Sequence, residues 1–306
     1  MLGGDYAPQE AVKGIARYLS EGGQAQRLVL LGHTAELSSL LEAHGLDPTH
    51  FALEHAPERI DMHEHPTKAL KEKKTSSIAV GFGQLAAGQI DALISAGNTG
   101  AMLVGALMSI KALPGIHRPT IGAYMPRENG KLGFLLDAGI NADCKPEFLA
   151  QFALLGTLFL QHVLGVSAPR VGLLNIGEEE GKGNLLAQAA YPLLQQQAGI
   201  HFIGNIEGRD ILLDKADVIV CEGFTGNVVL KIAESIHDIV VRRNIQDSYF
   251  DRFHFETYGG VPVLGVSKPI IIGHGISGSQ SFMNMIRLAE KMIEKDLLGK
   301  ISEAIV

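Results

Sequence analysis

The 306-residue chain is 46% hydrophobic, with 36 glycines, no tryptophan and only 6% aromatic residues. That balance excludes a disordered or fibrous polymer and fits an α/β enzyme that places glycine in the turns between strands and helices. A formal charge of −7 and a pI of about 5.9 argue against a general nucleic-acid binder, whose phosphate contacts need a basic face. Cys144 and Cys221 lack metal-ligand spacing, and with no signal-peptide pattern they are expected to be free thiols in a reducing cytoplasm. No apolar run reaches the ~18 residues expected of a membrane span.

The chain opens on Gly3-Gly4-Asp5 and passes at Pro8 into a helix signal. Such a glycine loop ordinarily follows a strand, so a first strand is expected ahead of residue 1. Buried strands are predicted at Arg27–Leu31, Ala92–Ala96, Gly133–Asp137, Val171–Ile176, Val218–Cys221 and Ile270–Ile272, with amphipathic helices between them. This alternation implies a parallel or mixed sheet covered on both faces, over one α/β domain spanning 1–306 or two closely associated lobes. Ligands then belong where strand ends meet helix N-termini.

Five strand-to-helix loops carry candidate chemistry. In Ser95-Ala-Gly-Asn-Thr-Gly100 the glycines Gly97 and Gly100 let backbone N–H groups approach a phosphate, although Asn98 or Thr99 serves equally well as a plain helix cap. Asp137-Ala-Gly-Ile-Asn-Ala-Asp-Cys-Lys145-Pro146 starts another helix, with Asp143 a candidate N-cap and Cys144 beside Lys145 a weak candidate nucleophile. Asn175-Ile-Gly-Glu-Glu-Glu-Gly-Lys-Gly-Asn184 is not a Walker A loop, because Gly177 to Gly181 is one residue short and Gly183 replaces the hydroxyl residue that would hold Mg²⁺. Lys182 there either neutralises phosphate or a developing oxyanion, or pairs in solvent with Glu178 to Glu180. Glu222-Gly-Phe-Thr-Gly-Asn227 repeats the glycine-loop pattern beside a carboxylate, and His274 sits in Gly273-His-Gly-Ile-Ser-Gly-Ser279 after an apolar strand. The His50, His55, His63 and His65 cluster invites a metal reading, but the neighbouring segment reads as an exposed loop and no metal is expected.

Several stretches resemble the bacterial acyl-acyl carrier protein:phosphate acyltransferase family over nearly the whole chain. They are Gly-Gly-Asp-Tyr-Ala-Pro at 3–8, Ile-Ser-Ala-Gly-Asn-Thr-Gly-Ala at 94–101, Asn-Ala-Asp-Cys-Lys-Pro-Glu at 141–147, Pro-Arg-Val-Gly-Leu-Leu-Asn-Ile-Gly-Glu-Glu at 169–179, Phe-Ile-Gly-Asn-Ile-Glu-Gly-Arg-Asp at 202–210, Gly-Phe-Thr-Gly-Asn-Val-Val-Leu-Lys at 223–231 and Tyr-Gly-Gly at 258–260.

The resemblance implies a three-layer αβα sandwich like that of the isocitrate and isopropylmalate dehydrogenases and the phosphotransacetylases, a homodimer, and a cleft for phosphate and the acyl-phosphopantetheine arm of acyl carrier protein. It implies no cofactor, a cytoplasmic enzyme and a peripheral membrane contact through apolar helices ahead of Tyr-Gly-Gly. Here only Arg242 to Thr257 occupies that stretch, so the usual insertion is short or missing. Glu222 stands where the family generally has Asp, and Ile276 and Gly278 stand where small polar and acidic residues are usual.

On this reading the catalytic candidates are Lys182, Asn227 and His274. The substrate and phosphate candidates are Gly4, Asp5, Ser95, Gly97, Asn98, Thr99, Gly100, Asp143, Lys145, Asn175, Gly177, Asn184, Gly223, Thr225 and Gly226. Phosphate is already an oxyanion nucleophile, so basic groups and N–H donors need only bring it to a thioester. A phosphotransacetylase-like enzyme using acyl-CoA and a non-catalytic lipid-synthesis scaffold are the rival readings.

Overall fold

The structure, a computed structural model, describes residues 1–305, the side chain of Phe255 excepted. In chain order the first elements are α1 (Gln9–Ser20), β1 (Val29–Gly32), α2 (Thr34–Ala43), β2 (Ala52–His55), α3 (Pro66–Glu72), α4 (Ser77–Ala86), β3 (Leu93–Ser95) and α5 (Thr99–Gly105). Next come β4 (Thr120–Ile121), β5 (Ala123–Pro126), β6 (Leu132–Leu136), α6 (Pro146–Phe159), β7 (Arg170–Asn175), α7 (Leu185–Gln196), β8 (His201–Glu207), β9 (Val218–Val220), α8 (Gly223–Arg242) and α9 (Ser248–Asp251). The chain closes with β10 (Gly260–Leu264), β11 (Ile270–Gly273), α10 (Ser279–Glu294) and α11 (Leu297–Ile305).

Contacts divide these elements into two compact units, each a mixed α/β body. The first comprises Met1–Lys111, Phe255–Pro262 and Val266–Ile293, and the second comprises Ala112–His254, Val263–Gly265 and the residues from 294 onward.

In the first unit β1 pairs in parallel with β2, and β11 pairs in parallel with β3 in the register Ile270↔Leu93 to Ile272↔Ser95. Helix α1 repeats its apolar residues at helical spacing, burying Val12, Ile15 and Tyr18 against Leu37, Leu41, Met283 and Ile286. Gly14 is required there, since a Cβ would lie 2.5 Å from the Phe282 Cβ on α10.

The second unit holds a five-stranded sheet of order β5-β6-β9-β7-β8, in which β5 pairs antiparallel with β6 and the β6–β9, β9–β7 and β7–β8 pairs are parallel. Helix α6 covers it with Leu149, Phe152, Ala153, Leu155 and Phe159, all buried, and Phe159 stacks on Phe134 of β6 at 4.7 Å between centroids. Together with the turn that follows, α6 makes a continuous helix, Pro146–Leu164, long and apolar enough to cross a membrane. That corrects the expectation that no apolar run has such a length. Its apolar residues are mostly buried in this unit, the pattern of a core helix.

All six strands expected from the sequence are present, displaced by one or two residues at their ends. Five more, β2, β4, β5, β8 and β10, were not expected. β4 is two residues long, β2 is largely exposed, and β5 ends in Pro126, so these three give no continuous apolar signal.

Candidate active site

In the first unit β3 and β11 end side by side, so the loops that leave them emerge together. The amino-terminal loop joins them. Gly3 packs so closely that a Cβ would lie 2.5 Å from the Gly97 nitrogen, Gly4 adopts φ +95°, and Asp5 N donates to the Gly275 carbonyl at 2.7 Å. Ser95 Oγ accepts from Gly97 N at 3.0 Å. The structure thus brings together Gly4, Asp5, Ser95, Gly97, Asn98, Thr99, Gly100 and the His274 loop. Asp5, Thr99 and His274 are exposed, whereas Asn98 is buried.

Asn98 is fully committed. Its Oδ1 accepts from Ala101 N at 2.9 Å as the cap of α5, and its Nδ2 lies 2.8, 3.3 and 3.2 Å from the carbonyls of Asp61, Met62 and Glu64. The capping alternative is therefore realised, together with a strap that fastens the 61–64 turn. Beside this junction a pocket of about 460 Å³ is lined by Asp5, Tyr6, Gln9, Glu10, Glu256 and Ile276 among others. The first amides of α10 are occupied by carboxylates: Gly278 N donates to Glu256 at 2.5 Å and Ser279 N to Glu10 at 2.8 Å.

In the second unit the parallel neighbours β6, β9 and β7 direct three more of the candidate loops from their carboxyl ends, where open α/β sheets place ligands. The first is organised by Asp137, whose buried carboxylate accepts from Ile121 N, Gly139 N, Ile140 N, Asn141 N and Asn141 Nδ2 at 2.6–3.3 Å. Asn141 passes this order on, accepting from Gly223 N at 2.7 Å through its carbonyl and donating to the Pro119 carbonyl at 2.9 Å. A Cβ on Gly226 would lie 1.9 Å from the Asp137 carbonyl oxygen. Gly223 and Gly226 therefore have a packing reason for being glycine. Asn227 Nδ2 reaches the Ala138 carbonyl at 3.4 Å.

The α8 start is capped from within, because Glu222 accepts both the Thr225 N–H at 2.7 Å and the Thr225 hydroxyl in a short bond. In the same way Asn184 caps α7 by accepting from Ala187 N at 2.8 Å.

In the loop between Asn175 and Asn184, Asn175 donates to the Lys182 carbonyl at 3.0 Å, and Asn205 on β8 donates to the Glu179 carbonyl at 2.8 Å. Of the neighbouring acids, Glu178 is bound by Lys215 at 2.6 Å, and Lys215 also holds Asp210 at 2.8 Å. Both bonds raise the Lys215 ammonium pKa. Among the described residues Lys182 keeps only a long contact, 4.0 Å to Glu179, with half its side chain (52%) in solvent. Its backbone is held and its charge is little neutralised.

Two expectations are corrected. Asp143 does not cap α6: the cap position is Lys145, without a side-chain hydrogen bond, and both residues are exposed. Cys144 is no thiolate nucleophile, since burial and then the Asp137 charge push its thiol up to about 12. Cys221 is raised as well, by burial. Among the described residues no three His, Cys, Asp or Glu side chains are grouped to hold a metal, and His63 and His65 lie in an exposed turn.

The sequence reading missed Asp137 and Asn141 as organisers of two loops, although an Asp at a strand end with Asn four residues on is a visible turn signal. It also missed Asn205, whose importance depends on a contact distant in sequence.

Residues 1–247 match the family model described as "Fatty acid synthesis protein". The "Phosphate acyltransferase" of Dictyoglomus turgidum is 38% identical over 323 aligned residues, covering 99% of this chain and 96% of the relative. Among solved structures, a phosphotransacetylase from Streptococcus pyogenes shares the fold with a TM-score of 0.68 at 19% identity, covering 94% of this chain and 92% of the other. A putative 4-hydroxythreonine-4-phosphate dehydrogenase from Salmonella typhimurium shares it at a TM-score of 0.55 and 14% identity, with 95% and 97% covered. These are the phosphotransacetylase and dehydrogenase-like folds that the sequence resemblance implied. With the family model spanning most of its length and a relative matched from end to end, the chain belongs to the phosphate acyltransferase family.

Proposed function

We propose that this acyltransferase moves a long-chain fatty acyl group from the thioester of acyl carrier protein onto inorganic phosphate, yielding the acyl phosphate used in phospholipid synthesis. Beyond family membership, the observation that carries the reading is Lys182: an ammonium mounted on a hydrogen-bonded glycine loop at the carboxyl end of β7, with Glu178 bound by Lys215 and Glu179 4.0 Å away. A structural ion pair has no need of that arrangement. A group that must meet charge appearing during a reaction does.

In the proposed step a phosphate oxygen attacks the thioester carbonyl carbon, forming a C–O bond and a tetrahedral oxyanion. Collapse of that oxyanion breaks the C–S bond and releases the thiolate. With a thiol pKa of about 8.5 the leaving group needs little acid assistance. Lys182 stabilises the developing charge, with Asn175, Gly177 and Asn184 shaping its loop. Asn227 and Thr225 position the acyl donor. In the first unit, the junction of Gly4, Gly97 and Gly275 with exposed Thr99 and His274 suits a phosphoryl group.

An acidic carrier protein would dock on local positive charge, either the Lys68, Lys71, Lys73 and Lys74 cluster, in which Lys73 is tied to Glu64 at 2.7 Å, or Arg242 and Arg243. A homodimer would cover the exposed Val228, Ile232 and Ile239 on α8. The enzyme would be cytoplasmic, with weak or absent peripheral membrane binding because the 242–257 stretch is short.

The test is a thiol-release assay comparing long-chain acyl carrier protein with acetyl-CoA, each with and without phosphate. Phosphate-dependent release from the carrier substrate is the expected result. Preference for acetyl-CoA would replace the reading with a phosphotransacetylase. Binding of carrier protein without release would leave only a scaffold.

A further inference from the structure

The sequence reading assigned no role to Arg59, yet the fold places it against the amino-terminal loop of the first unit. Its guanidinium Nη2 donates to the Gly4 carbonyl at 3.4 Å, and Gly4 lies between Ala96 and the Gly275 carbonyl. The backbone carrying this arginine is fixed from several sides. Ile60 is buried, Lys73 Nζ donates to the Arg59 carbonyl at 2.7 Å, and Glu64 accepts from Asp61 N at 2.7 Å. The Asn98 amide clamps the 61–64 carbonyls to the Ser95–Gly100 loop.

The side chain itself is 43% exposed. Its carboxylate neighbour, Asp61, is 3.4 Å from Nε and 62% exposed, which makes a solvated pair of small energetic value. A guanidinium offers five donors in a planar fork matched to phosphoryl oxygens, and one weak contact to a carbonyl leaves most of that capacity available for a ligand. The exposed Asp5 carboxylate at the same junction adds negative charge. An anion can be held there only beside a cation that offsets it.

We infer that Arg59 binds a phosphoryl oxyanion over the Gly4–Gly97–Gly275 junction. This rests on the acyl-transfer reading and extends it by naming the cation of the first unit. Two sources share the chemistry: inorganic phosphate, and the phosphodiester of a phosphopantetheine arm.

The test uses the full chain and two variants, Arg59→Met and Arg59→Lys, with inorganic phosphate varied against long-chain acyl carrier protein and against an acyl-pantetheine that lacks the phosphodiester. The melting temperature of each variant is measured in parallel, and it should stay near wild type because the side chain is half in solvent. In Arg59→Met the KM for inorganic phosphate should rise by about tenfold or more with either donor, the loss expected of one charge-assisted pair, and Arg59→Lys should recover part of it. If instead only the KM for the phosphodiester-bearing donor rises, Arg59 holds the arm, which also supports the inference. Unchanged KM values for both overturn it.

Absence of phosphate-dependent turnover in the wild type would sink the acyl-transfer reading rather than this one. Calorimetric titration of inorganic phosphate then decides: equal affinity in wild type and Arg59→Met overturns the inference, and a loss of about tenfold upholds it.

Discussion

A Cβ on Gly183 would stand 2.2 Å from the Oδ1 of Asn175, in a backbone at φ +96°. Asn175 also donates to the Lys182 carbonyl, so this one glycine fixes how closely the loop folds onto the end of β7. Gly183→Ala combines a left-handed backbone with a clash and should destabilise the loop by roughly 1–3 kcal/mol. Gly181→Ala is the comparison, because a Cβ there meets nothing within 4 Å. Thermal melts and kcat/KM should show a clear loss for the first and near-wild-type behaviour for the second. Equal effects would refute this account of the loop.

Lys182→Met keeps most of the aliphatic stem and removes the charge. If the ammonium meets charge that grows in the transition state, kcat falls by about 10²-fold, the magnitude of one lost oxyanion donor. A role confined to ground-state phosphate would raise the KM for phosphate and leave kcat near normal. The 4.0 Å contact with Glu179 is too exposed to matter for stability, so the melting temperature should not move. Steady-state kinetics with phosphate varied at saturating acyl donor separate these outcomes, and two unchanged constants would remove Lys182 from the site.

Cys144 should be chemically quiet. With its thiol raised to about 12 by burial and the neighbouring acid, almost no thiolate exists at neutral pH. Iodoacetamide should alkylate it far more slowly than a free cysteine at pH 7.5, followed by mass spectrometry of the intact chain, and Cys144→Ala should retain activity. Rapid labelling accompanied by inactivation would reopen covalent catalysis.

The second unit is locked by a four-residue ion network. Arg127, 1% exposed, pairs with Asp217 at 2.8 Å and Asp214 at 3.0 Å, and Arg170 holds the same two acids. Asp217→Asn leaves a buried guanidinium short of its counter-charge and should cost about 3–5 kcal/mol. The pH dependence follows from the direction of the shift. Burial alone would raise the Asp217 carboxyl, but bonds from Arg170 and Arg127 outweigh it and hold the group below its ordinary value. Asp214 is lowered chiefly by Arg170. Their contribution is therefore present above the unfolded value of about 3.9 and is lost as pH falls through the lower folded values. Melting temperatures between pH 7 and 3 should fall below about pH 4 more steeply in the wild type than in Asp217→Asn, and parallel curves would contradict the assignment.

The alternation of buried strands and helices was legible in the sequence because a strand buried on both faces must be apolar throughout, as Val218–Val220 and Ile270–Ile272 are. So was the position of every candidate loop, because glycine after a strand marks a turn whatever surrounds it. The specific stretches at 94–101, 169–179 and 223–231 carry the family resemblance in sequence alone.

What the loops do with their polar groups was decided only by tertiary structure. Asn98 looks equally suited to a ligand or to a cap until its partners are seen, and it proves to be engaged internally, as does Glu222. The same holds for the competition among acids around Lys182: sequence proximity offers it Glu178, Glu179 and Glu180, but Lys215, thirty-odd residues away, takes Glu178. Arg59 and Asp137 acquire meaning in the same way, through a carbonyl at Gly4 and amides from Ile121 to Asn141. Periodicity reports burial, which is a property of a segment. Hydrogen-bond pairing is a property of two segments, and only the folded chain chooses which two meet.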